Sequence, residues 1–152
     1  MEMPVFKNVF NMSGESLLPH RPPFLFVDVL VSADETGAHG HYTFSEEKND
    51  FFKGHFPDFP VVPGVILVEA MSQTAGAAVV ARGVLGSQAA FAFASIEEAR
   101  FKRPVRPGDR LDMVVKMIRE RVPLGYYEVS GYVGGELATT AKVKCMLMNG
   151  RK

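Results

Sequence analysis

The stretch Phe51–Arg82, FFKGHFPDFPVVPGVILVEAMSQTAGAAVVAR, decides the reading of this chain. Its first part is a stiff loop, because Pro57, Pro60 and Pro63 fix their own φ and turn the residues before them away from helical geometry. Gly64 then opens a helix. From Val65 to Ala81 there is no proline and little but apolar or small side chains, so nearly every face of the helix requires cover from protein. Between Asp58 and Arg82 the one charged residue is Glu69.

Glu69, Ser72, Gln73 and Gly76 follow the i, i+3, i+4, i+7 spacing and form a narrow polar seam on this apolar helix. A solvated face would carry Lys and Glu pairs, and this one carries none. An acid held among apolar groups loses hydration of its charged form, which raises its pKa and makes it a candidate proton donor near neutral pH. The competing reading is that Glu69 pairs with a base from elsewhere and fixes packing.

His55 lies in Gly54-His55-Phe56-Pro57, where the backbone is restricted and aromatics surround the ring. Such an imidazole is a candidate base, and its plainer alternative is a core histidine bonded to a carbonyl. Free N–H groups at the helix start, around Gly64 and Val65, are candidate donors to a carbonyl oxygen that gains negative charge. Base, acid and oxyanion donor fall within one segment, or come from two copies of it.

The rest of the chain reads as cover for the helix. Residues 1–14 are weakly patterned, a short helix is expected around Glu15–Leu18, and His20-Arg21-Pro22-Pro23 forms a stiff loop. Phe24–Val31 and Gly37–Phe44 read as strands, with Gly40 at a bulge, and so does Ala89–Ser95, which sets Phe91 and Phe93 on one face as acyl-tunnel candidates. Leu111–Arg121, Tyr126–Val133 and Glu136–Met148 are β-rich, the last two joined by Gly134-Gly135 as a tight hairpin. Short links make these strands antiparallel. The expected fold is a single α+β domain over 1–152, about six strands wrapped around one long helix.

Seventeen basic and seventeen acidic side chains cancel, so no global field points to nucleic acid or a membrane surface. Locally the balance is uneven: residues 100–121 hold Arg100, Lys102, Arg103, Arg106, Arg110, Lys116, Arg119 and Arg121 against Asp109, Asp112 and Glu120. That region suits an acidic partner. Glu69 near its middle argues against the helix as a membrane span, since a central charge costs about 3 kcal/mol on insertion scales. No charged segment followed by an apolar one opens the chain, which points to the cytoplasm. Cys145 sits in an apolar run and reads as a buried thiol. His39 and His41 share a strand face without the further ligands that a metal site requires, so no metal is expected.

Taken together, these residues resemble the (3R)-hydroxyacyl-[acyl-carrier-protein] dehydratases of type II fatty acid synthesis, a hot-dog-fold family. The likeness runs from about Leu17 to Met148. Its marks are Leu18-Pro19-His20-Arg21 before Pro23-Phe24-Leu25, Phe51-Phe52-Lys53-Gly54-His55-Phe56-Pro57, and Pro63-Gly64-Val65 leading to Glu69-Ala70-Met71 and Gln73. Glu98-Ala99-Arg100-Phe101-Lys102-Arg103-Pro104-Val105 and Pro107-Gly108-Asp109 complete them. The resemblance implies His55 as base and Glu69 as its acidic partner, supplied across a dimer interface, with Gln73 in support. It further implies dimers assembled into a hexamer, no cofactor or metal, and a substrate carried on the phosphopantetheine of acyl carrier protein. Arg100, Lys102 and Arg103 would meet that carrier. The sequence departs from the family at Pro22, where tyrosine is usual, at Lys48-Asn49-Asp50, and at Pro123-Leu124-Gly125. Two other readings remain at this point: a hot-dog thioesterase, and a silent acyl-binding or assembly subunit.

Overall fold

The run after Pro63 folds as its composition requires. Helix α2 spans Gly64–Ala81, and 13 of its 18 residues are buried, so no one face is left to solvent. The computed structural model describes residues 2–149. Before α2 come β1 (Asn8–Ser13), the short helix α1 (Gly14–Leu17), β2 (Val29–Asp34), β3 (Gly37–Thr43) and a 3-10 turn at Asp50–Lys53. After it come β4 (Ala90–Phe101), β5 (Arg110–Arg121), β6 (Leu124–Val133) and β7 (Glu136–Met148).

All seven strands join one antiparallel sheet in the order β1-β2-β3-β5-β6-β7-β4. Period-two alternation aims Leu111, Met113 and Val115 of β5, Tyr127 and Val129 of β6, and Ala141, Val143 and Cys145 of β7 inward. These side chains and α2 make the core. The helix is long and apolar enough to cross a membrane by composition, but here the sheet wraps it. Gly134 and Gly135 both take positive φ, 57° and 80°, and close the β6–β7 hairpin in two residues as their order predicts.

The expected count of about six strands becomes seven because Asn8–Ser13, within the weakly patterned segment, pairs with β2 at the sheet edge. The expected strand over Phe24–Val31 is corrected: pairing starts only at Val29. Phe24 to Phe26 pair with no strand, and their backbone bonds instead to the Gln73 side chain, which accepts from Phe26 N at 2.7 Å and donates to Phe24 O at 3.0 Å. A glutamine on the helix thus takes the place of a neighbouring strand. The register irregularity near Gly40 lies on the β2 side, between Leu30 and Ser32. β4 is longer than Ala89–Ser95 suggested and continues to Phe101.

Candidate active site

The polar seam forms as its spacing dictates: Ser72 and Gln73 are fully buried, Gly76 is buried, and Glu69 is partly exposed. Glu69 Oε2 accepts from Gln73 Nε2 at 2.9 Å. Because Gln73 also ties Phe24 and Phe26, the carboxyl is fixed relative to the segment after the Pro22-Pro23 loop. No arginine or lysine meets Glu69 among the described residues; its other neighbour is His20, with Nε2 3.8 Å from Oε2. That contact is not an ion pair at neutral pH. Burial, stronger than the opposing attraction of Glu69, pushes the His20 pKa below the ordinary imidazole range, and Arg21 pushes the same way.

His55 sits on a loop closed on itself. His55 N donates to Phe51 O at 3.0 Å, Val61 N to His55 O at 2.9 Å, and Phe59 N to Phe56 O at 3.0 Å. The ring stacks on Phe56 with centroids 4.4 Å apart, and its Nδ1 lies 3.1 Å from Val61 O. A carbonyl only accepts, so Nδ1 carries the proton of the neutral ring and Nε2 presents a lone pair. A carbonyl bond at Nδ1 is therefore compatible with a base at Nε2. Among the described residues no hydrogen bond or ion pair joins His55 to Glu69.

Pro63 precedes the helix, and the first bonds close at Ile66 N and Leu67 N onto Pro63 O. Gly64 and Val65, whose amides precede that ladder, line a recess of about 570 Å³ together with Val61, Phe101 and Lys102. A Cβ on Gly64 would meet the Phe101 ring at 2.8 Å, so glycine lets that strand end approach the helix start. Val65 itself is 75% exposed.

Phe91 reaches the seam: a Cβ on Gly76 would lie 2.5 Å from its ring, and its centroid is 5.4 Å from that of His20. Phe93, on the same strand, is 36% exposed. Arg100 shares an outward recess with Glu98, Glu128 and Lys142, and Arg103 is bridged to Glu136 at 3.1 Å and Asp109 at 4.0 Å. Acids therefore blunt part of the basic stretch. Arg119 and Arg121 instead line a concavity of about 520 Å³ with Leu124, Tyr126 and Lys144, and no ion pair holds either arginine among the described residues. The sequence includes both arginines in the basic region that suits an acidic partner but does not single them out, since only cross-strand register places them beside Lys144.

Cys145 is buried, and its thiol is pushed up to about 12, first by burial and then by Glu69. His39 Nε2 bonds Asp112 Oδ1 at 2.9 Å.

A long enclosed helix carrying one carboxyl, an imidazole on the loop before it and a wrapping antiparallel sheet define a hot-dog fold. Comparison with known proteins makes the class definite. A family model for the FabA-like domain matches residues 18–142. The 3-hydroxyacyl-[acyl-carrier-protein] dehydratase FabZ of Bacillus cereus (strain AH187) is 40% identical over 129 residues, 85% of this chain and 89% of that protein. The FabZ of Bacillus thuringiensis (strain Al Hakam) matches with the same identity and coverage. The chain belongs to the FabA-like dehydratase family, and it is a hydro-lyase. Among solved structures, the dehydratase heterocomplex ApeI:P from Xenorhabdus doucetiae superposes with TM-score 0.76 at 16% identity, covering 91% of this chain and 92% of that one. The E. coli PaaI protein gives 0.59 at 18% identity, over 77% and 80%. These two share the fold.

Proposed function

We propose that the protein dehydrates (3R)-3-hydroxyacyl-[acyl-carrier-protein] to the trans-2-enoyl thioester in fatty acid biosynthesis or a related acyl pathway. The observation that carries the reading is the pair of groups described above: a carboxyl without a cationic partner, clasped by Gln73, and an imidazole whose Nδ1 is engaged so that Nε2 is free.

The thioester acidifies the proton on C2. His55 Nε2 takes that proton, the C2–H electron pair becomes the C2=C3 bond, and the C3–O bond breaks as Glu69 protonates the departing hydroxyl. Charge gathering on the thioester oxygen is met by the Gly64 and Val65 amides at the positive end of α2. One proton is taken and one given, so water is the sole other product. No cofactor or metal enters this scheme.

His55 and Glu69 of one site come from different subunits in this reading. Support comes from the lack of a bond between them among the described residues and from the apolar skin beside them: Phe56, Phe59, Val65 and Phe101 are all more than half exposed. A dimer covering this skin completes two sites, and three dimers make a hexamer. The substrate arrives on the phosphopantetheine arm of an acidic carrier, which meets Lys102 and the arginines of the basic region in the cytoplasm.

The test is subunit complementation. His55→Ala and Glu69→Gln homodimers should each lose orders of magnitude in enoyl formation. A refolded equal mixture should regain about a quarter of wild-type turnover, because half its dimers carry one intact site of two. Full activity in either variant would overturn the assignment, and no recovery in the mixture would place both groups on one subunit.

A further inference from the structure

His20 faces Glu69, and the reaction scheme above gives it no role. It is held more tightly than a loop residue needs to be. Arg21 Nη1 donates to Leu18 O at 2.9 Å and to His20 O at 2.6 Å, which braces the backbone on both sides of the ring. The ring packs on Phe91 and turns Nε2 toward Glu69 Oε2. Its other nitrogen, Nδ1, is buried and has no hydrogen-bond partner among the described residues.

That orphan settles the protonation of the ring. A charged imidazole would bury an N–H at Nδ1 with nothing to accept it, and so would the neutral ring with its proton there. The form with least cost is neutral with the proton on Nε2, facing the carboxyl. The lowering of the His20 pKa by burial agrees. Two donors, Gln73 Nε2 and His20 Nε2, then address the same oxygen, Oε2, while Oε1 accepts no hydrogen bond among the described residues.

We propose that His20 is a positioning residue for the acid: its neutral Nε2–H, with the Gln73 amide, holds Oε2 of Glu69 and so leaves Oε1 turned to the substrate hydroxyl. This rests on the dehydratase reading and adds to it a division of labour between the two carboxyl oxygens. The 3.8 Å gap closes to hydrogen-bond length by a small rotation of the ring or the carboxyl when the site fills, the tightening expected between resting and occupied sites.

The experiment pairs kinetics with nitrogen NMR on the full-length protein. His20→Phe keeps the ring packing and removes the donor; His20→Gln restores an N–H at the same number of bonds from Cβ as Nε2; His20→Asn places one where Nδ1 stood. With a carrier-linked 3-hydroxyacyl substrate, His20→Phe and His20→Asn should lower kcat about tenfold or more with KM little changed, and His20→Gln should return most of it. Equal losses in all three folded variants, or no loss in His20→Phe, overturn the proposal. Independently of any variant, ring 15N shifts of wild-type protein should show His20 neutral with its proton on Nε2 from pH 6 to 8. An imidazolium, or the proton on Nδ1, overturns it too. His55→Ala and Glu69→Gln run alongside: if those stay active the dehydratase site itself is wrong, whereas their loss beside a fully active His20→Phe removes only the role of His20.

Discussion

Replacing Gln73 by leucine removes three hydrogen bonds with almost no change of volume: from Phe26 N at 2.7 Å, to Phe24 O at 3.0 Å and to Glu69 Oε2 at 2.9 Å. Phe26 is 1% exposed, so its N–H loses its acceptor in a place water does not reach, at about 1–3 kcal/mol. Phe24 is 48% exposed, and its carbonyl finds water at small cost. The bond to Glu69 contributes about 1–3 kcal/mol depending on the charge of the carboxyl, and the added apolar burial of leucine returns part of the sum. The net loss is about 2–4 kcal/mol, a large share of the usual 5–15 kcal/mol of a folded domain. Urea denaturation at fixed protein concentration reads it: with a slope of about 2 kcal/mol per molar, the midpoint should fall by about 1–2 M. Turnover should fall as well, since the carboxyl is no longer held. An unchanged midpoint together with unchanged kcat would show that Gln73 neither substitutes for a strand nor orients the acid.

Arg119→Glu with Arg121→Glu should raise KM for carrier-linked substrate about tenfold and flatten its dependence on salt, while a short pantetheine thioester reacts as before. Gly76→Ala should force the Phe91 ring aside, costing about 1–3 kcal/mol of stability and shifting the profile of accepted acyl lengths, read by assaying several chains. Asp34 titrates at about 2, held down first by the Thr36 hydroxyl and then by the Lys7 amide. Its folded pKa lies below its unfolded one, so its contribution is present above about pH 4 and is lost as pH falls toward 2. Asp34→Asn should therefore flatten the acid limb of stability against pH in that window, as followed by circular dichroism.

The helix, its charge and the histidine loop were readable along the chain because each depends on neighbours close in sequence: prolines that fix a loop, an apolar run without a breaker, one carboxyl at helical spacing from Gln73. The hairpin at Gly134-Gly135 was readable for the same reason. Phe24–Val27 misled because its alternation is that of a strand while its partner is a side chain 47 residues away. β1 carries Val9, Phe10 and Met12 without a clean period-two alternation, and five of its six residues are exposed at the sheet edge. His20 looked like part of a turn, and nothing in Pro19-His20-Arg21 announces that its ring reaches Glu69, 49 positions on. The arginine concavity likewise exists only once β5, β6 and β7 lie side by side.

β4 lies at the end of the sheet with β7 on one side and no strand on the other. Outside its two register irregularities, at Phe93/Ser95 and Glu97/Arg100, alternate amides of β4 thus face outward with no strand to accept from them among the described residues. Deuterium uptake along that strand reads subunit association at the backbone, with no need for substrate. Fast uptake at high dilution that slows as concentration rises would follow the joining of two chains one amide at a time.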